Sequence, residues 1–269
     1  MKRTRVSAIV RKDLLELRKN KLAMLPMIVV PLVLCVLMPS VLSILALTLD
    51  ISAINGAQFI ERLLPVYAVP AELDTLAVQI LYVFLNYMFV PFFMLVPIMV
   101  SSVIAANSVV GEKERHTLET LLYTPVSNRE LIMAKQLSAF LPAVVISVVS
   151  FVLYFVSVNA ISLLIDGVFL VRSLVWIPAI LLVSPAASLV GLGVTLMVSV
   201  RSKTFMEAQQ IAAVVIVPFL LILVAQLAGL FVMSMVHVVA FGVVLAAIGL
   251  LILRKIAPRF EREQILKTL

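Results

Sequence analysis

Five long stretches of this sequence, residues 22–49, 75–111, 136–165, 173–200 and 208–253, contain no Asp, Glu, Lys or Arg. A soluble domain has about 25% charged residues, and gaps of this size leave no charged face for any element inside them. A helix crosses the hydrocarbon core with roughly 20 apolar residues at about 1.5 Å each, and each stretch is long enough to do so. Backbone polar groups in lipid must be satisfied internally. The expected fold class is therefore an all-α polytopic membrane protein. Composition agrees, with 63% of residues hydrophobic, 13% charged and a mean hydropathy of +1.20.

Basic residues set the number of crossings. If both termini and every second connection face the cytoplasm, segments 1–21, 111–135, 201–207 and 254–269 hold all but Arg62 and Arg172 of the 21 Lys and Arg. By the positive-inside rule both termini are expected in the cytoplasm of a multi-pass cell-membrane protein. The +7 net charge then reads as a topology signal, and no nucleic-acid partner is expected. Stretch 208–253 lies between basic segments on one side, so it must cross an even number of times. A single helix of that length would run about 69 Å against a core of about 30 Å. Two spans with an outer turn near Gly229 to His237 resolve it.

Six spans follow, at about 22–48, 79–108, 137–159, 173–200, 208–229 and 236–253, in one transmembrane domain over 1–269 with a cytoplasmic tail at 254–269. The stretch 75–111 connects opposite sides, so it crosses once and extends beyond the bilayer. Asn55-Gly56 and Asp166-Gly167 are turn signals in the first two outer connections, and Ala57 to Leu64 is apolar enough for a short interfacial helix. The first stretch exceeds the 7–15 residues of a signal-peptide core and is read as a retained span. Cys35 is the single cysteine and reads as a filler; no metal site is expected.

Residues 5–19, RVSAIVRKDLLELRK, place Val6, Ile9, Val10, Leu14 and Leu17 on one arc of a helix and Arg11, Lys12, Arg18 and Lys19 on the other. An N-terminal amphipathic helix at the inner membrane interface is the expected result, with Asp13 intruding on the apolar arc. The segment Gly111 to Lys135, GEKERHTLETLLYTPVSNRELIMAK, looks arranged. Helix formers run from Glu112 to Tyr123, with Leu118, Leu121 and Leu122 on one face. Thr124-Pro125 ends that helix, and Ser127 to Glu130 is a capping box that starts the next. A short helix with one apolar and one charged face is shaped to dock in a partner's groove.

This segment resembles the ABC-2 type transporter permeases, whose spans two and three are joined by a stretch close to G-E-K-E-x-G-T-L-E-x-L-L-x-x-P-V-S-x-x-E-L-x-x-x-K. His116 stands where that family usually has glycine. VRKDLLELRKNK resembles the family's elbow helix, and the tail RFEREQIL, Arg259 to Leu266, resembles its ending. The resemblance implies the membrane subunit of an ATP-driven transporter, usually an exporter. In it the Gly111–Lys135 segment is the coupling element against a separate ATP-binding subunit, and two permease copies, identical or related, enclose the pathway. The coupling residues it implies are Glu112, Glu114, Arg115, Thr117, Leu118, Glu119, Leu121, Leu122 and Pro125. No G-x-x-x-x-G-K-[ST] phosphate loop occurs, so ATP and Mg are expected on the partner subunit, with no enzyme site or cofactor in this chain.

An ion- or proton-coupled secondary transporter is the alternative, but such machines place an ionisable residue inside the membrane and the five stretches lack one. His237 falls at the expected outer turn. Candidate pathway residues are the polar ones within spans, Asn86, Ser101, Ser102, Asn107, Gln209 and Gln210, against a competing role in hydrogen bonding between helices. Gly191 and Gly193 read as close helix packing, and prolines 26, 31, 39, 91, 97, 142, 178, 185 and 218 as sources of kinks.

Overall fold

A computed structural model describes residues 3–49, 64–115, 117, 126–230 and 232–256. Among them there is no strand. Helix α1, Arg3–Lys19, ends at Asn20, whose extended backbone turns the chain into the first span. Among the described residues six further helices are long and apolar enough to cross a membrane: α2 Ala23–Thr48, α3 Leu76–Glu114, α4 Asn128–Ile165, α5 Trp176–Ser199, α6 Phe205–Leu227 and α7 Met235–Ile256. The protein is a multi-pass membrane protein with an all-helical fold. The 46-residue charge-free stretch divides into α6 and α7 around Gly229, whose φ of 70° suits a residue without a side chain. Asn55-Gly56, the expected interfacial helix at 57–64 and the tail segment 259–266 lie wholly or almost wholly outside the described residues.

Helix α3 is the hub. In its most apolar window 83% of residues are buried, against 22% in each of α2, α6 and α7. It packs along α5 and α4 and touches α1, α2 and α6, while α7 rests on α5. At 39 residues it is about 58 Å long, so it projects past a hydrocarbon core of about 30 Å. Close approach to α5 is set by Gly191, where an added Cβ would lie 2.7 Å from Ser101 Oγ and 2.9 Å from the Ile98 carbonyl oxygen. Gly242 and Gly249, two turns apart on α7, meet Leu182 and Leu189 of α5 in the same way. Without a hydrophobic driving force between helices in lipid, such small residues let backbones and side chains gain contact.

Four of the prolines leave a recurrent mark. Wide turns occupy Leu32–Leu37, Phe84–Met88 and Ala179–Val183, and a tight one occupies Ala213–Ile216. Each contains the residue four before a proline, at 39, 91, 185 and 218. Proline offers no N–H to that residue's carbonyl and its ring presses against it, so the preceding turn changes its hydrogen bonding. Where Pro91 orphans the carbonyl of Tyr87, the buried Gln226 of α6 donates to it from Nε2 at 3.3 Å. Pro26, Pro97 and Pro142 sit in regular helix.

One end of the bundle is closed by a folded-back connection between α4 and α5. Asn86 of α3 donates to the Leu170 carbonyl at 2.9 Å and accepts from Ser173 N at 3.0 Å. Asn159 of α4 accepts from Leu170 N at 3.0 Å and Val171 N at 2.8 Å. These two amides satisfy backbone groups that the buried loop would otherwise leave unpaired. Below them Phe89 and Phe93 of α3, Phe151 and Tyr154 of α4 and Trp176 of α5 form an aromatic cluster with neighbouring ring centroids 5.0–6.4 Å apart.

Candidate functional site

The opposite end gathers the charges. Helix α3 does not stop at the end of its apolar stretch: it continues through Gly111 and Glu112 to Glu114, with no proline in that stretch and Gly111 accommodated inside the helix. The segment expected as a separate connection from Gly111 therefore begins as the last turn of α3. Its other end is the start of α4, where Ser127 Oγ accepts from Glu130 N at 3.3 Å and Glu130 Oε2 accepts from Ser127 N at 3.2 Å. This is the capping box that the S-x-x-E spacing predicts.

Between these two roots lies a buried charge cluster. Lys135 Nζ, about two turns beyond the α4 cap, stands 2.8 Å from Glu112 Oε2 and 3.2 Å from Asp13 Oδ1, and donates to the Ser108 carbonyl at 2.6 Å. Lys12 Nζ donates to Glu112 Oε1 at 2.6 Å. Ser138 Oγ donates to Asp13 Oδ2 at 3.0 Å. Lys135, Asp13 and Glu112 have side chains only 2% exposed. Burying a lone charge is prohibitive, but two ammonium groups here face two carboxylates; the Ser138 hydroxyl and the Ser108 carbonyl add hydrogen bonds to Asp13 and Lys135, while Glu112 Oε2 meets Lys135 as an ion pair without a hydrogen bond. Three carboxylates, Asp13, Glu16 and Glu112, approach within 4.8 Å of one another; Lys12 and Lys135 stand among them and offset two of the three negative charges.

The cluster explains the anomaly in α1. Val6, Ile9 and Leu17 are buried as expected, and Asp13, on the same arc, is buried with them because Lys135 waits beneath it. The buried part of the arc, Val6, Ile9 and Leu17, thus packs inside the protein with α1 resting on α4, while Val10 and Leu14 stay half-buried at its edge. Burial raises the Asp13 carboxyl above its ordinary pKa even against the pull of Lys135. Burial of Lys12 acts to lower its pKa, but its hydrogen bond and attraction to Glu112 prevail and raise it.

Further ties bind the same end together. Asn20 Nδ2, at the α1–α2 turn, donates to Asn107 Oδ1 of α3 at 2.7 Å. Lys113 Nζ donates to the Val200 carbonyl at the end of α5 at 2.7 Å. Glu114 Oε1 accepts from Phe205 N, the first residue of α6, at 2.9 Å. The final turns of α3, Asn107 to Glu114, therefore contact the α1–α2 turn, the first turns of α4, the end of α5 and the start of α6.

Of the residues expected to couple, Glu112 is turned inward and 1% exposed, so it holds the root of the segment and presents no surface at its rim. Glu114 caps α6. Arg115 and Thr117 are exposed, with Thr117 N returning to the Glu112 carbonyl at 3.0 Å. Leu118, Glu119, Leu121, Leu122 and Pro125 lie outside the described residues. Of the expected pathway residues, Asn86 and Asn107 spend their side chains on the bonds above, and Ser101 donates to the Ile98 carbonyl of its own helix. Ser102 and Gln209 are largely turned inward and Gln210 is exposed. The residues that sequence reasoning passed over are Lys135 and Asn159. Each stands where polarity interrupts or borders an apolar run, and that was the available signal.

A family model described as ABC-2 family transporter protein matches residues 7–242 of the chain. No curated protein and no solved structure matches it.

Proposed function

This chain belongs to the ABC-2 transporter family, and on that premise we propose that it is the permease subunit of an ATP-driven exporter whose separate ATP-binding partner docks on the segment between α3 and α4. The observation that carries the reading is the Glu112–Lys135 pair, which joins the two roots of that segment at 2.8 Å inside the protein. A partner pressing on residues 115–127 would push on both roots at once, and the cluster would pass the push to α1 through Asp13 and Lys12 and to α5 and α6 through Lys113 and Glu114. In this reading Leu118, Leu121 and Leu122 enter the partner's groove, since burying a leucine contributes about 1.5–3 kcal/mol and an exposed ion pair about 0–1 kcal/mol. Glu119, Arg115 and Thr117 orient the helix, and Pro125 ends it before the α4 cap.

The remaining parts follow the same premise. ATP and Mg belong to the partner, two permease copies enclose the pathway, and the charged end with both termini faces the cytoplasm. Asn86, Ser101 and Asn107 serve the fold of one copy, which leaves Ser102 of α3 and Gln209 and Gln210 of α6 as the better pathway candidates. The test is co-purification of the ATP-binding subunit with Leu121→Asp or Leu122→Asp, folding being checked by recovery of the permease dimer. Loss of the partner with an intact permease is expected. A variant that retains its partner at wild-type yield and still transports would remove this segment from coupling. In a Cys35→Ser background, an impermeant thiol reagent should label Asp166→Cys in intact cells and spare His116→Cys; the reverse would invert the orientation.

A further inference from the structure

Helix α1 has a third side, neither buried on α4 nor facing Glu112. Along it runs a groove of about 670 Å³ between α1 and α4. Its floor is apolar, with Val10 and Leu14 of α1 and Leu137 and Leu141 of α4, and its rim carries Arg11 and Arg18. Both arginines are exposed. They lie seven residues apart, which is two helical turns and about 10.5 Å on one face. The acidic residues of α1 are already engaged, Asp13 with Lys135 and Glu16 with Lys12, so neither guanidinium meets a carboxylate of its own helix.

The groove opens toward the membrane. Leu141 is 49% exposed, and the next turns of α4 continue with Val145, Val148 and Val152 at 40–59%, an apolar surface that lipid covers. The basic rim sits at the charged end and the apolar floor runs from it into the lipid-facing side. We propose that this groove is a binding site for one anionic phospholipid of the leaflet at the charged end. Its phosphate lies between Arg11 and Arg18, and its acyl chains descend over Leu137 and Leu141. A neutral phospholipid carries no net charge to match the unneutralised rim, and inorganic phosphate makes no use of the floor. Guanidinium groups are suited to phosphate through paired N–H donors, and juxtamembrane basic residues draw anionic headgroups. The inference is independent of transport direction and of any ATP-binding partner.

The experiment is native mass spectrometry of the detergent-purified full chain with phosphatidylglycerol or phosphatidylcholine. The wild type is expected to retain phosphatidylglycerol in preference to phosphatidylcholine. The double variant Arg11→Gln/Arg18→Gln, at exposed positions, should retain about 30-fold less, the size expected for two arginines against an anionic surface. Leu141→Trp, which obstructs the floor and keeps both arginines, should also lose the lipid, whereas Arg172→Gln at the other end should not. Unchanged retention in the double variant or in Leu141→Trp would overturn the site, the latter by reducing it to diffuse attraction along a basic helix. Equal retention of phosphatidylcholine, or displacement of phosphatidylglycerol by millimolar inorganic phosphate, would overturn it as well.

Discussion

Lys135 Nζ lies 2.8 Å from Glu112 Oε2 with both side chains 2% exposed, so the helix that enters the α3–α4 connection and the helix that leaves it share a buried ion pair. Such a pair stabilises little against an apolar replacement of both partners, but removal of one partner strands the other's charge. Lys135→Met would leave Asp13 and Glu112 buried together with Lys12 alone to balance them. A loss of about 3–5 kcal/mol is expected, read as a fall in thermal stability in detergent. Lys12→Met should lose much less, because the Lys12 side chain is 37% exposed. Equal losses would show that the cluster is not held by Lys135.

Protonation acts on the same cluster with predictable sign. The Lys12 pKa is raised by Glu112, so the folded state holds that proton more tightly than the unfolded one and the gain persists below the ordinary lysine value. It disappears as the pH rises through the raised value. The stability difference between the wild type and Lys12→Gln should therefore be constant at neutral pH and vanish at strongly alkaline pH.

Asp13 is likewise raised, by burial. Its contribution is greatest below the ordinary carboxylate range and is lost as the pH climbs through the raised value. The wild type should therefore lose ground to Asp13→Asn between acid and neutral pH in denaturation midpoints. A difference that grows in the wild type's favour as the pH rises would contradict this.

Gly191→Ala puts a Cβ 2.9 Å from the Ile98 carbonyl oxygen, a backbone atom that moves only if α3 and α5 separate. Gly242→Ala meets the side chain of Leu182, which has rotamers to use. Overpacking costs about 1–3 kcal/mol, and Gly191→Ala is expected at the upper end with Gly242→Ala below it in a thermal-shift series.

Asn159→Leu removes the acceptor for Leu170 N and Val171 N, both in a buried loop. An unsatisfied buried donor costs about 1–3 kcal/mol. Amide exchange at Leu170 and Val171 should accelerate well before the helices open, and unchanged protection there would show that the loop is held by packing alone.

Much of this protein was legible in its sequence because the signals are local. Charge-free runs define six crossings through the length a helix needs in lipid, and the alternating arcs of residues 5–19 define α1. The S-x-x-E spacing defines the cap of α4 because its bonds close within four residues. What only the tertiary structure decided involves partners far apart in the chain. Asp13 looked misplaced on an apolar arc until Lys135, 122 residues away, appeared beneath it. Asn86, a pathway candidate by its polarity, is a clamp on a loop 84 residues later. Prolines show where a carbonyl will be orphaned, yet Pro97 and Pro142 leave their helices regular while Pro91 does not. Whether a helix deforms depends on the packing around it, and a neighbour such as Gln226 can take up the freed group. Helix adjacency fixes which polar groups meet, and adjacency is set by glycine contacts and side-chain volumes across α3, α5 and α7 that no local pattern encodes.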